Sequence, residues 1–148
     1  MNNNPNNDTQ QTGFGIGRII VLVATILAVL SFFLAWIDIG IIRLNAFAEF
    51  QSILGKGSIF QHLFGLVFLV FIYPVWMTLA KKHISHVEQV GGFLCAVTGI
   101  ITGIVYILMN QKEIFGESVN VSGSGVYLFL VACVLLIAGI ALYNRRML

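Results

Sequence analysis

Four apolar runs, each close to twenty residues long, constrain this chain more than any other feature. They cover about residues 19–37, 59–80, 87–109 and 125–143. A helix of about 20 residues at 1.5 Å per residue crosses a hydrocarbon layer about 30 Å thick. No Asp, Glu, Lys or Arg interrupts the first run, and the charges elsewhere gather at run ends and in the connections. With 58% hydrophobic and 9% charged residues, the chain cannot cover a water-exposed surface with polar groups. A soluble domain carries about 25% charged residues. The expected fold is therefore all-α, a four-span transmembrane helix bundle.

Residues 1–17 differ in kind. Asn2, Asn3, Asn4, Pro5, Asn6, Asn7 and Asp8 open a polar tract without hydrophobic period, which cannot offset the entropy of ordering. It is expected to be a disordered tail, followed by one domain over residues 18–146. The first run is too long for a signal peptide, and no small-x-small cleavage site follows it, so it is read as a retained helix.

Between the first two runs lies the longest connection, Asp38 to Ser58. There Phe47, Phe50 and Leu54 share a helical face, with Asn45 as a cap and Gly55 as a stop. A short interfacial helix over 46–54, or a loop plugging the bundle, fits this pattern. Pro74 lies inside the second run and removes a backbone donor, so a kink is expected near Phe71 to Tyr73. The second and third runs are joined by about six residues and must be antiparallel neighbours. Residues 110–124 read as a polar loop.

Arg18, Trp36, Lys81, Lys82, Arg145 and Arg146 flank the runs as interfacial anchors do. An inside N-terminus places Arg18, Lys81, Lys82, Arg145 and Arg146 on the cytoplasmic side, against Arg43, Lys56 and Lys112 outside. Both termini are therefore expected to be cytoplasmic. The third run carries Gly92, Ala96, Gly99 and Gly103, and the fourth carries Ala132 and Gly139. Small residues four apart allow close helix contact in lipid.

Chemistry-bearing residues are few. An ionisable residue deep in a span is costly and marks function; His62 and Glu88 both lie near span ends. The first run has no acid of the kind small four-helix drug exporters carry. Cys95 and Cys133 form no pair motif and read as packing residues. His83, His86 and Glu88 are close in sequence but lack a further convergent donor. No Ser–His–Asp arrangement is legible in the short loops. No catalysis, metal or cofactor is expected. A net charge of +2, without a dense basic face, excludes a nucleic-acid footprint.

The segment Ser31-Phe32-Phe33-Leu34-Ala35-Trp36-Ile37 resembles the end of helix one in small uncharacterised bacterial four-helix integral membrane proteins, with Ala35 where they commonly have proline. The last helix, from Gly123-Ser124-Gly125-Val126-Tyr127-Leu128 to Ala138-Gly139-Ile140, is similar to their closing helix. The resemblance implies a bacterial cytoplasmic membrane and no particular activity. Asp38 to Ser58 lacks the cysteines of claudin-like and tetraspanin loops. The function expected is non-enzymatic: association through the small-residue faces with another membrane protein or with itself, in the lipid bilayer. An oligomeric channel or small transporter is the alternative.

Overall fold

The computed structural model describes residues 15–40, 43–45, 67–80, 83–114 and 117–143. It is mostly helical. Among the described residues there are four α-helices: α1 (Ile16–Phe33), α2 (Ile72–Ala80), α3 (His86–Met109) and α4 (Ser124–Ala141). A 3-10 turn, Val67–Phe71, leads into α2. Helices α1, α3 and α4 are each long and apolar enough to cross a membrane. The interfacial helix expected over 46–54, residues 59–66 of the second run, most of the expected tail, and Lys81, Lys82, Arg145 and Arg146 lie outside the described residues.

The all-α expectation holds only approximately. Two antiparallel hairpins join the helices: β1 (Ala35–Asp38) with β2 (Arg43–Asn45), and β3 (Gln111–Ile114) with β4 (Glu117–Asn120). The first apolar run is therefore not one helix to residue 37. Helix α1 stops at Phe33, and Leu34 turns extended. The reason is a set of bonds that a longer helix would forfeit. The Asp38 amide donates to the Val121 carbonyl at 2.9 Å, and the Gly123 amide donates to the Trp36 carbonyl at 2.7 Å. The Trp36 carbonyl and the Asp38 amide of β1 are thus satisfied, as buried peptide groups require. The segment after α3, expected to be a loop, pairs in register from Gln111↔Asn120 to Ile114↔Glu117.

Helix α3 starts at a capping box. The Ser85 side chain accepts from the Glu88 amide, and the Glu88 carboxylate accepts from the Ser85 amide at 2.8 Å. This reciprocal capping box satisfies two amides that a helix start leaves open. Glu88 thus has a structural use at the helix start.

Packing follows a 4-3 spacing on all three long helices. Helix α1 buries Gly17, Val21, Ala24, Ala28 and Ser31. Helix α3 buries Gly92, Ala96, Gly99, Gly103 and Tyr106. Helix α4 buries Gly125, Phe129, Ala132, Leu136 and Gly139, and beside them Val126, Cys133 and Ile140. A repeat averaging 3.5 residues is the seam of left-handed helix packing. Helix α4 has two such seams and sits between α1 and α3.

The partners along each seam fix the directions. Gly139 of α4 faces Val21 and Gly17 of α1, whereas Gly125 faces Ser31. Gly92 of α3 faces Ile140, and Gly103 faces Leu130. Helices α1 and α3 therefore both run antiparallel to α4. The start of α1, the end of α2, the start of α3 and the end of α4 share one end of the bundle, and the hairpins share the other.

Candidate functional site

Two places gather side chains with chemical capacity: the helix seams with the polar latch at the end opposite the hairpins, and the hairpin cap.

The seams contain the small residues singled out in the sequence. The structure brings Gly92, Ala96, Gly99 and Gly103 onto α4, not onto an open surface. A Cβ built on Gly99 would lie 2.7 Å from Cys133 Sγ, and one on Gly103 would lie 2.6 Å from Leu130 Cδ2. On the other side of α4, Ala132 is fully buried. A Cβ on Gly139 would come within 2.9 Å of the Val21 amide nitrogen and 3.1 Å of the Gly17 carbonyl oxygen. Small side chains here let backbone approach backbone. Gly17, Ala24, Ala28 and Gly125 belong to the same system and were missed in the sequence. Their signal was present as the 4-3 repeat, which only becomes visible once the three helices are aligned.

At the end opposite the hairpins, Arg18 reaches from the first turn of α1 to α2. Its Nη2 donates to the Thr78 carbonyl at 2.7 Å. A cation at a helix start opposes the helix dipole, whereas one at the last carbonyls of a helix is favoured. Arg18 satisfies the second condition on α2. Tyr143, just beyond α4, is buried, and its backbone lies directly against Gly17 of α1. Gln89 Nε2 donates to the Ile140 carbonyl at 3.2 Å. The latch therefore ties all four helices at this end. Pro74 is buried in α2 beneath it. Its carbonyl accepts from Thr78 Oγ1 at 2.8 Å. The change from 3-10 to α geometry falls at Phe71–Ile72, just before the proline.

Trp36 is placed differently from an interfacial anchor. It is 2% exposed. In the β1–β2 register, Ala35↔Asn45 is followed by Ile37↔Leu44, so Trp36 is the extra residue of a bulge. A bulge re-aims a side chain. The indole turns onto Tyr106 (centroids 5.2 Å apart) and Phe129 (5.7 Å), and its Nε1 donates to the Ser31 carbonyl at 2.8 Å. The Trp36 carbonyl, bonded to Gly123, closes the other side. A Cβ on Gly123 would strike the Ala35 carbonyl oxygen, and one on Gly125 would strike the indole. Trp36 is thus the keystone between the cap and the bundle.

The cap carries an open groove of about 600 Å³. Its lining combines apolar Phe33, Leu34 and Ala35 with polar Asp38, Arg43, Asn45 and Ser124. Arg43 Nε lies 3.3 Å from Asp38 Oδ2. Asp38 Oδ1 accepts from the Gly40 amide at 3.0 Å. This local bond accompanies a φ of +72° at Gly40, a conformation glycine adopts without steric cost.

Among the described residues no three His, Cys, Asp or Glu side chains converge on a metal-sized site. The buried polar side chains among them, Ser31 and Thr78, each donate to a carbonyl of their own helix. No protein-family model, curated protein or solved structure matches the chain.

Proposed function

We propose that the protein is a non-enzymatic, multi-pass membrane protein that works by association, as a subunit or partner of a membrane complex or as a homo-oligomer. The observation that carries this reading is the division between the inside and the outside of the bundle. Inside are small residues, aromatic rings and hydroxyls that bond their own helices. Outside are large apolar side chains, among them Val23, Ile26 and Val29 on α1, Leu94, Ile101 and Leu108 on α3, and Val131 and Val134 on α4. Such a division suits a molecule solvated by lipid, and it is the observation on which the non-enzymatic reading rests.

Helix α2 with the preceding 3-10 turn belongs to the second of four spans in this reading. The shared position of the start of α1 and the end of α4 supports an even number of spans. With the excess of Lys and Arg that the sequence gives the expected inner flanks of the runs, it favours two cytoplasmic termini in a bacterial cytoplasmic membrane. The small-residue seams are already covered within one chain. Association therefore uses the outward faces and the cap. An oligomeric channel would have to be lined between chains, because the described interior is apolar apart from Ser31 and Thr78.

The test is purification from native membrane in mild detergent, followed by mass analysis of the intact particle. A stoichiometric partner or a defined homo-oligomer supports the proposal. A monomer without partners, in detergent and in native lipid discs alike, contradicts it.

A further inference from the structure

The groove on the cap lies at a particular depth. Helix α1 rises through 18 apolar-rich residues, about 27 Å at the α-helical rise, and ends at Phe33. With α1 spanning the bilayer, as the proposed membrane placement has it, the chain that follows enters the headgroup layer. Leu30, Phe33 and Leu34 are exposed just below this level, and Phe33 and Leu34 continue into the groove wall. In that placement the groove joins apolar residues at the end of α1, Phe33 and Leu34, to the charged residues Asp38 and Arg43.

Among the described residues its lining includes one cation and one anion in contact. Arg43 engages Asp38 through Nε, which leaves the terminal nitrogens of its guanidinium fork for a second anion; phosphate is the ligand this fork fits. The Asp38 carboxylate beside it makes the pair neutral overall. An anionic headgroup gains from Arg43 and is repelled by Asp38. A zwitterionic headgroup with a primary ammonium gains from both, the phosphate on Arg43 and the ammonium on Asp38.

We propose that this groove is a binding site for a zwitterionic phospholipid of the phosphatidylethanolamine type. Its phosphate sits on Arg43, its ammonium on Asp38, and an acyl chain lies along Phe33 and Leu34. The Asp38–Arg43 pair is open to solvent, with side chains 36% and 72% exposed, so the groove is accessible and little of the fold depends on the pair.

The full-length protein in mild detergent, titrated with short-chain phosphatidylethanolamine or phosphatidylglycerol and read by native mass spectrometry, tests this. Wild type should retain phosphatidylethanolamine up to about five-fold better than phosphatidylglycerol, the upper ratio an exposed ion pair gives. Arg43→Gln should lose both lipids. Asp38→Asn should reverse the preference toward phosphatidylglycerol. Circular dichroism of each variant keeps loss of binding distinct from loss of fold; an unfolded Asp38→Asn is replaced by Asp38→Ser, with the same reversal expected. Equal retention of both lipids by wild type, or unchanged preference in the folded variants, overturns the proposal. So does soluble phosphoethanolamine competing as well as the lipid, since the apolar lining would then contribute nothing. The readout is made on the single chain and is independent of whether it associates with a partner.

Discussion

Replacing Gly139 by alanine places a methyl group where α4 meets the backbone of α1. The added Cβ would lie 2.9 Å from the Val21 nitrogen and 3.1 Å from the Gly17 oxygen. Nonbonded heavy atoms sit comfortably at about 3.5–4.0 Å. Backbone cannot swing aside, so the helices must part by roughly half an ångström or more along the seam. Overpacking of this kind costs about 1–3 kcal/mol, against which alanine regains up to about 1 kcal/mol of helix propensity. The midpoint of the overpacking range less this gain leaves a net loss of about 1 kcal/mol. Gly103→Ala is the matched control. Its Cβ would meet Leu130 Cδ2 at 2.6 Å, the end of a half-buried side chain that can change rotamer. The strain is then relieved locally, and propensity brings the net effect to within about 1 kcal/mol of zero. Reversible unfolding of both variants by denaturing detergent in mixed micelles measures the difference. Gly103→Ala losing as much stability as Gly139→Ala, or Gly139→Ala behaving as wild type, would refute the reasoning from backbone proximity.

Two further outcomes follow from the same geometry. Arg18→Met keeps the length of the side chain but removes the bond to the Thr78 carbonyl; it should cost about 1.5–3 kcal/mol, the range for hydrogen bonds to charged groups, and should speed hydrogen exchange at the end of α2. The two tryptophans should respond oppositely to brominated lipid: Trp76, 56% exposed, should be quenched, and Trp36, 2% exposed, should not. Single-tryptophan variants read this directly, and equal quenching would place Trp36 outside the core.

The three long helices are legible in the sequence because length and hydropathy alone define them. The hairpins are not. Ala35–Asp38 continues an apolar run, and nothing local separates an apolar strand from the last turn of an apolar helix. What decides is pairing with Val121 and Gly123, more than eighty residues away, which no local pattern contains. Residues 111–120 carry too short an alternation to stand out from a polar loop. Trp36 was read as an anchor because a tryptophan at a run end commonly lies in the headgroup layer. The bulge that turns it inward is a property of the strand register. For the candidate site, the glycine and alanine stripes were visible as residue types, but the same spacing serves contact within a chain and contact between chains. Only the antiparallel course of α4 between α1 and α3 shows which one is used. Asp38 and Arg43 stood in the sequence five residues apart as ordinary loop charges; the β1–β2 pairing brings them into contact.

The central claim is that the small-residue seams close the bundle within one chain. Gly99→Cys, in a chain whose Cys95 is replaced by alanine, tests it most directly, because the new side chain is placed against the Cys133 sulfur. The approach lies within the reach of a disulfide. Mild oxidation in native membranes should produce a bond within the chain, with both thiols lost and no increase in particle mass on denaturing electrophoresis. A disulfide-linked dimer, or two thiols that stay reactive after oxidation, would contradict the claim.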